Sequence, residues 1–311
     1  MPKNCLSYPV EFVEDVFGAS AKLAEIVGRA KVLLVADLNV VQRTESLGTR
    51  IGAYVKEHNL TLAGAPVVIA GGERVKMDNF QSATCIIDAA LKADLTADDY
   101  ILALGGGTIL DVAGWAAAQL KGGVKLLRLP TTPAAILGCA FAETAALNTP
   151  LVKDALVVPS VPAAVLIDLA FATTVLDGVW RAGFSEAVRL AVAKDVKQLK
   201  KIQPLAEAYQ RRDAAALAEL VSLAFALRQK KGGTDFGLST AAELEPKSTW
   251  KLPHGYAVAI GTLIDLDREI AAGERKAEEL VQVKALLAAC GALDGARHSR
   301  HLPGVARFFE D

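Results

Sequence analysis

The sequence predicts an α/β domain built on a parallel sheet, followed by an all-α domain. Up to about residue 168, short β-rich runs alternate with helix-period segments, as expected for parallel strands joined by crossover helices. Beyond residue 168, β-branched runs become rare, and Ala, Leu, Glu, Lys and Arg recur at helical spacing to about residue 293. A length of 311 residues also favours two domains. We therefore expect a Rossmann-like domain at 1–168 and a helical domain at 169–311.

Five apolar runs define the predicted strands of the first domain. They are Lys31 to Ala36 (KVLLVA), Pro66 to Ala70 (PVVIA), Tyr100 to Leu104, Val124 to Leu129 and Ala164 to Ile167 (AVLI). Such runs are typical of strands covered by helices on both faces. No Gly/Ser linker separates the two domains, so we expect them to pack closely and to bind ligand in the cleft between them.

Composition excludes several classes of function. The chain is 52% hydrophobic and 22% charged, with a formal net charge of -1, which gives no electrostatic footprint for nucleic acid. The four cysteines (Cys5, Cys85, Cys139 and Cys290) form no CxxC pair, so neither a disulfide framework nor a cysteine zinc site is indicated. No apolar run is long enough to span a bilayer. We expect a cytoplasmic protein that binds small molecules rather than nucleic acid or membranes.

The first candidate site is a glycine turn. Gly105, Gly106 and Gly107 lie between a predicted strand and a predicted helix, where backbone amides can approach an anion at the helix N-terminus. This arrangement predicts a pyrophosphate cradle. Leu110 stands where a third glycine of the dinucleotide pattern would lie, so an ordinary tight turn is the alternative.

Polar residues near other strand ends have two interpretations each. Asp37 follows the strand KVLLVA, where an acid can bind a ribose hydroxyl or simply cap a helix. Glu73 and Lys76, in the Gly turn GGERVK, are either ligand contacts or a solvated ion pair.

A series of collinear motifs covers roughly residues 30 to 270. In order they are GGERVK, LALGGGTILDVAGWAAA, LPTT at Leu129 to Thr132, AVLID, AGFSEAVR at Ala182 to Arg189, and LPHGYAVAIG at Leu252 to Gly261. With this series the chain resembles the sugar phosphate cyclases, typified by 3-dehydroquinate synthase and including the 2-epi-5-epi-valiolone and 2-deoxy-scyllo-inosose synthases. Iron-type alcohol dehydrogenases share the fold more distantly.

The resemblance implies a homodimeric enzyme that binds NAD, oxidises one hydroxyl of a sugar phosphate, eliminates phosphate, reduces the ketone again and closes a carbocycle. It places the NAD contacts on residues that keep compatible side chains here. These are Asp37, Glu73, Lys76, Gly105, Gly106, Gly107, Asp111, Thr131 and Thr132, and a further family lysine matches Lys153.

The metal positions implied by the resemblance are incomplete. Family members hold zinc, cobalt or a similar ion with one glutamate and two histidines. Glu186 and His254 match two of these ligands, but Leu238 stands at the third and Ala242 at a catalytic histidine. Replacement ligands could come from Asp235, Glu243, His298 or His301. Glu186 could instead be an ordinary acid in the first turn of a helix starting near Ser185, and His254 a structural histidine.

Substrate-binding positions also depart from the family pattern. Arg189 stands where family members have a lysine. Thr144, beside Glu143, stands where they have a basic residue. Gly122, next to Lys121, stands where family members have an arginine that reaches a neighbouring subunit. We therefore expect a divergent enzyme of specialised metabolism, with Lys153, Arg189, Asp235 and His254 surrounding a polyol or sugar-derived substrate. The alternatives are an NAD(P)-dependent alcohol or polyol dehydrogenase and a catalytically inactive pseudoenzyme.

Overall fold

The computed structural model describes residues 6–230, 233 and 235–310, which divide into two compact units. The α/β unit contains the described residues up to 149 and residues 154–175; the helical unit contains residues 150–153 and the described residues from 176 onward. The sequence-based boundary after residue 168 lies before the change at 175. Sequence analysis did not predict that residues 150–153, including Lys153, belong to the helical unit. We call this segment the excursion at 150–153. Cys5 lies outside the described residues.

The strands of the described residues form one parallel sheet and one antiparallel pair. They are β1 (Val10–Phe12), β2 (Lys31–Asp37), β3 (Thr61–Leu62), β4 (Val67–Ile69), β5 (Tyr100–Gly105), β6 (Lys125–Pro130), β7 (Thr144–Leu147), β8 (Leu156–Pro159) and β9 (Ala164–Ile167). The sheet order is β1-β9-β6-β5-β2-β3, and β4 also pairs with β2. Every pairing in this sheet is parallel, while β7 and β8 pair antiparallel.

Central strands explain why the α/β prediction succeeded. All residues of β5 and all but Lys31 of β2 are buried, as expected when helices cover both faces of a parallel sheet. The five predicted strands are confirmed as β2, β4, β5, β6 and β9. Sequence analysis missed β1 and β3, which are only three and two residues long, and the β7–β8 pair.

Helices of the α/β unit are α1 (Lys22–Val27), α2 (Leu38–Arg43), α3 (Leu47–Glu57), α4 (Gln81–Lys92), α5 (Gly107–Gln119), α6 (Pro133–Leu137) and α7 (Leu169–Ala172). Those of the helical unit are α8 (Asp177–Lys194), α9 (Leu199–Ile202), α10 (Ala206–Gln210), α11 (Ala214–Arg228), α12 (Leu238–Lys247), α13 (His254–Ala271) and α14 (Ala277–Ala289). The described residues beyond residue 175 contain no strand, so the prediction of an α/β part followed by an all-α part is confirmed.

Two tight turns fix α12 in the helical unit. Gly237, just before α12, has a φ of 76°, and its carbonyl oxygen would lie 2.2 Å from a Cβ at Gly261 of α13. Asp265 of α13 accepts hydrogen bonds from Gly237 N at 2.8 Å and Thr240 Oγ1 at 2.5 Å. After α12 the chain reverses through Thr249 and Trp250, with φ of 55° and 60°, into α13. Close approach of α12 and α13 therefore follows from glycine and from one partly buried carboxylate.

Candidate functional site

The glycine turn connects β5 to α5 and leaves no room for side chains. A Cβ at Gly106 would lie 3.0 Å from Thr132 Cγ2, and one at Gly107 would lie 2.7 Å from Cys139 Sγ. Close approach, rather than backbone conformation, therefore requires glycine here, since neither residue has a positive φ. The first turn of α5 presents backbone amides at this point, as an anion-binding helix N-terminus does.

The strand beside this turn ends in two threonines with different environments. Thr131 N donates to Gly105 O at 3.0 Å, which places Thr131 next to the glycine turn. Thr132 caps α6 by accepting from Ala135 N at 3.2 Å. Thr131 is fully buried, and its Oγ1 makes no hydrogen bond to any described residue. Because an orphaned buried hydroxyl is costly, it indicates that a ligand completes this region.

Three predicted cofactor-binding residues, Glu73, Lys76 and Asp111, lie together in the α/β unit. Lys76 Nζ contacts Asp111 Oδ2 at 2.6 Å and Asp154 Oδ1 at 2.5 Å. Asn148 joins the group, since its Nδ2 donates to Glu73 Oε2 at 2.9 Å and its Oδ1 accepts from Asp154 N at 2.8 Å. Burial opposes the charge on Lys76, but the carboxylates outweigh it and raise the pKa of Lys76. A solvated ion pair, the alternative for Lys76, is wrong, because Lys76 is buried.

Asp37 caps a helix at the end of β2. Its Oδ1 accepts from Asn39 N at 2.8 Å and from Asn39 Nδ2 at 3.0 Å, at the start of α2. The second oxygen, Oδ2, would lie 2.3 Å from a Cβ on Gly71. The helix-cap interpretation is therefore confirmed, and a ribose contact through Oδ2 stays a prediction.

A cavity of about 450 Å³ lies in the α/β unit and was missed by sequence analysis. Its lining includes Thr44 and Ser46 before α3, and Asp168 and Phe171 after β9. Because β9 and β2 are parallel members of one sheet, the segments that follow them meet at its carboxyl edge. Ligands of open α/β sheets bind at this edge.

The second cluster lies in the helical unit and begins with two residues of α8. Arg189 donates to Glu186 Oε2 through Nε at 3.1 Å and through Nη2 at 2.9 Å. The two side chains are 2% and 4% exposed, respectively. Burial alone would raise the pKa of Glu186, but the charges of Arg189 and His254 outweigh it and lower that pKa. Glu186 lies in the middle of α8, so its interpretation as a first-turn acid is wrong.

His254 begins α13 and joins this pair to a second carboxylate. Its Nδ1 lies 2.8 Å from Glu245 Oε1, and its Nε2 lies 3.9 Å from Glu186 Oε1. Lys153 Nζ donates to the other oxygen of Glu245 at 2.9 Å. Because an ionised carboxylate only accepts hydrogen bonds, the contact with Glu245 assigns a proton to Nδ1. Burial disfavours the imidazolium, but Glu245 and Glu186 outweigh this and raise the pKa of His254.

Three of the four predicted catalytic residues, Lys153, Arg189 and His254, therefore lie in one cluster with Glu186. The fourth, Asp235, is exposed in the turn before α12. Glu245, which is fully buried, was not selected from the sequence. It is the last residue of DFGLSTAAELE, the segment that also carries Leu238 and Ala242, and its place in that segment is the signal that could have identified it.

The donors of this cluster do not fit a divalent metal ion. Leu238, Ala242 and Glu245 are spaced as i, i+4 and i+7 on α12 and share one face, so apolar side chains precede Glu245 along it. Of the proposed replacement ligands, Glu243 is exposed and pairs with Lys247 at 3.1 Å, and His298 and His301 are exposed. Across residues 6–230, 233 and 235–310, no three His, Cys, Asp or Glu side chains form a group that could hold a metal.

In the described part of the chain, no helix is both long enough and apolar enough to cross a bilayer.

Comparisons with known proteins agree on one family. The model of the 3-dehydroquinate synthase N-terminal family matches residues 66–181. The 3-dehydroquinate synthase of Shewanella pealeana is 27% identical over 277 residues, covering 83% of this chain and 73% of that protein. That of Haemophilus ducreyi is 32% identical over 244 residues, covering 71% of this chain and 64% of that protein.

Solved structures show the same fold. A 2-epi-5-epi-valiolone synthase of Streptomyces hygroscopicus subsp. jinggangensis, with NAD+ and Zn2+ bound, superposes with a TM-score of 0.79 at 22% identity, covering 96% of this chain and 89% of that one. A 2-deoxy-scyllo-inosose synthase complexed with carbaglucose-6-phosphate, NAD+ and Co2+ gives 0.73 at 20% identity, covering 92% and 80%. An iron-containing alcohol dehydrogenase gives 0.66 at 14% identity, covering 95% and 85%.

Proposed function

The chain belongs to the 3-dehydroquinate synthase-like sugar phosphate cyclase superfamily, and on this premise we propose that it is an NAD-dependent enzyme that oxidises a hydroxyl of a small polyol or sugar-derived substrate. Bound NAD supplies the hydride acceptor for such chemistry. A homodimeric state, which the resemblance implies, and a place in specialised biosynthetic metabolism, which the departures from the family pattern favour, belong to the same proposal.

The observation that carries this proposal is the fit of the glycine turn to a dinucleotide. A Cβ at Gly106 or Gly107 would crowd Thr132 or Cys139, so glycine keeps the backbone of the turn close to these residues, and Thr131 holds an orphaned hydroxyl beside them. Backbone amides at the start of α5 would bind the pyrophosphate. Glu73 and Asp111 would accept hydrogen bonds from ribose hydroxyls, with Lys76 holding Asp111 in place at 2.6 Å.

Cations of the helical cluster argue against a phosphorylated substrate. Lys153 and Arg189 each contact a buried carboxylate at 2.9 Å, and the family's basic position near Glu143 is Thr144. Each charge-assisted hydrogen bond withheld from a phosphate forfeits about 1.5–3 kcal/mol. We therefore propose an uncharged, hydroxyl-rich substrate, bound beside His254 and Glu186.

A calorimetric titration with NAD+ tests the proposal, using Lys76→Met against the matched surface variant Lys22→Met, whose lysine forms only an exposed pair with Glu25. We expect wild type and Lys22→Met to bind equally. Because a buried charged contact is worth about 1.5–3 kcal/mol, Lys76→Met should bind about 10- to 100-fold more weakly. A panel of polyols is then screened for NADH formation. Absence of NAD binding in the wild type, or equal binding by Lys76→Met, would refute the proposal.

A further inference from the structure

We propose that the guanidinium of Arg189 replaces the metal ion at Glu186, so that the helical unit carries a metal-independent site for uncharged hydroxyl groups. The substrate part of this inference rests on the proposed function. The metal part does not, because it concerns only the donors of the cluster.

Arg189 already occupies one carboxylate oxygen of Glu186. Both Nε and Nη2 of Arg189 donate to Oε2, at 3.1 Å and 2.9 Å. Arginine is not deprotonated in proteins, and here the pair is buried. Two hydrogen bonds from Arg189 therefore already engage one of the two oxygens through which Glu186 could bind a metal ion.

The cluster offers too few ligand atoms for a metal ion. With Oε2 engaged, Glu186 Oε1 and His254 Nε2 remain, 3.9 Å apart. Catalytic zinc sites use three protein ligands, and on the face of α12 that carries Glu245 the earlier positions hold Leu238 and Ala242. Neither side chain has a lone pair to donate.

The carboxylates of the cluster are already paired with cations. Glu186 and Glu245 contribute two negative charges, and Arg189 and Lys153 contribute two positive charges, each in contact with its carboxylate. Arg228 adds a further positive charge that acts on Glu186, so a divalent ion would bring two positive charges to a cluster whose carboxylates are already compensated, and burial makes uncompensated charge costly. Arg189 thus supplies the positive charge that Glu186 would otherwise take from a metal.

The consequence is a site suited to hydroxyl groups. Glu186 Oε1 accepts hydrogen bonds, and His254 Nε2 faces it, while the contact of Nδ1 with Glu245 orients the ring. Two neighbouring hydroxyls of an uncharged polyol can each donate one hydrogen bond, one to Glu186 Oε1 and one to the lone pair of His254 Nε2, without adding charge to the cluster.

Zinc binding to the full chain tests the inference, with Zn2+ alone as the probe. We expect elemental analysis and calorimetry to show no stoichiometric zinc on the wild type. The double variant Leu238→His/Arg189→Met restores a Glu and two His donors, so we expect it to bind one zinc per chain and to gain thermal stability with zinc. Leu238→His alone retains Arg189 and should bind zinc at least about tenfold more weakly than the double variant, which corresponds to about 1.4 kcal/mol.

Two results would overturn the inference. One is a single equivalent of zinc on the wild type that is lost in both Glu186→Gln and His254→Gln; the other is equal zinc affinity of Leu238→His with and without Arg189→Met. If the methionine variant does not fold, Leu238→His/Arg189→Gln takes its place, because glutamine removes the charge and keeps a hydrogen-bond donor, and the wild-type measurement decides by itself. NAD binding is measured on the same samples, so failure of the proposed function is recognised separately.

Discussion

The α/β unit and the helical unit each hold a charged cluster, but the two clusters differ in their ratio of carboxylates to cations. In the α/β unit, Lys76 faces Asp111 and Asp154, with Glu73 nearby, so carboxylates are in excess. In the helical unit, two carboxylates meet two cations. Carboxylate oxygens of the α/β cluster can accept hydrogen bonds from ribose hydroxyls, whereas each carboxylate of the helical cluster contacts its own cation. This difference underlies our proposals that the α/β unit binds NAD and that the helical unit holds no metal.

The largest expected effect comes from unbalancing the helical cluster. Arg189→Met removes the cation that contacts the buried carboxylate of Glu186, and we expect a loss of about 3–5 kcal/mol in the free energy of unfolding, measured by urea denaturation. Glu186→Gln/Arg189→Met removes both charges and should recover most of this loss. The matched exposed pair, Glu243 with Lys247, should cost only about 0.3–0.5 kcal/mol when broken by Lys247→Met. Equal losses for the buried and exposed pairs would contradict the account.

Filling the glycine turn tests the α/β side. In Gly107→Ala the new Cβ would lie 2.7 Å from Cys139 Sγ, and overpacking of this kind costs about 1–3 kcal/mol. We expect weaker NAD binding in a calorimetric titration, with rescue in Gly107→Ala/Cys139→Ala because the opposing sulfur is gone. Cys139→Ala alone is the control and should bind NAD as the wild type does. If the double variant binds no better than Gly107→Ala, close packing is not the reason for glycine.

Asp37 allows its two interpretations to be separated. Asp37→Ala removes the cap of α2 and should lower the free energy of unfolding by about 0.5–2 kcal/mol. Asp37→Asn keeps an oxygen acceptor for Asn39 N and should leave stability nearly unchanged. If Asp37 also binds the ribose, NAD affinity falls in both variants. Unchanged NAD affinity in Asp37→Asn would leave the cap as the sole role of Asp37.

The smallest expected effect concerns the pH dependence of stability at His254. The folded-state pKa of His254 is raised, so its contribution is fully present below the unfolded value of about 6.5. This contribution is lost as the pH rises through the raised folded pKa. We therefore expect urea midpoints of the wild type to decline more between about pH 6 and pH 9 than those of His254→Gln. Parallel curves for the two proteins would show that His254 does not gain charge stabilisation on folding.

How much the sequence could predict differs between the two units. The apolar runs of β2 and β5 and the glycines of the turn predicted the α/β part, because burial on both faces and close backbone approach leave visible patterns. The salt bridge between Glu186 and Arg189 could have been expected from their i, i+3 spacing on one helix. The pairing of Lys153 with Glu245 could not, because the two residues are 92 positions apart and meet only when the excursion at 150–153 joins the helical unit.

The most direct test of the account is native mass spectrometry combined with elemental analysis, on protein purified without chelator and incubated with NAD+ and Zn2+. We predict one NAD per chain and no stoichiometric metal, because the first turn of α5 offers backbone amides to a pyrophosphate while Arg189 occupies Glu186. One equivalent of divalent metal per chain would contradict the account.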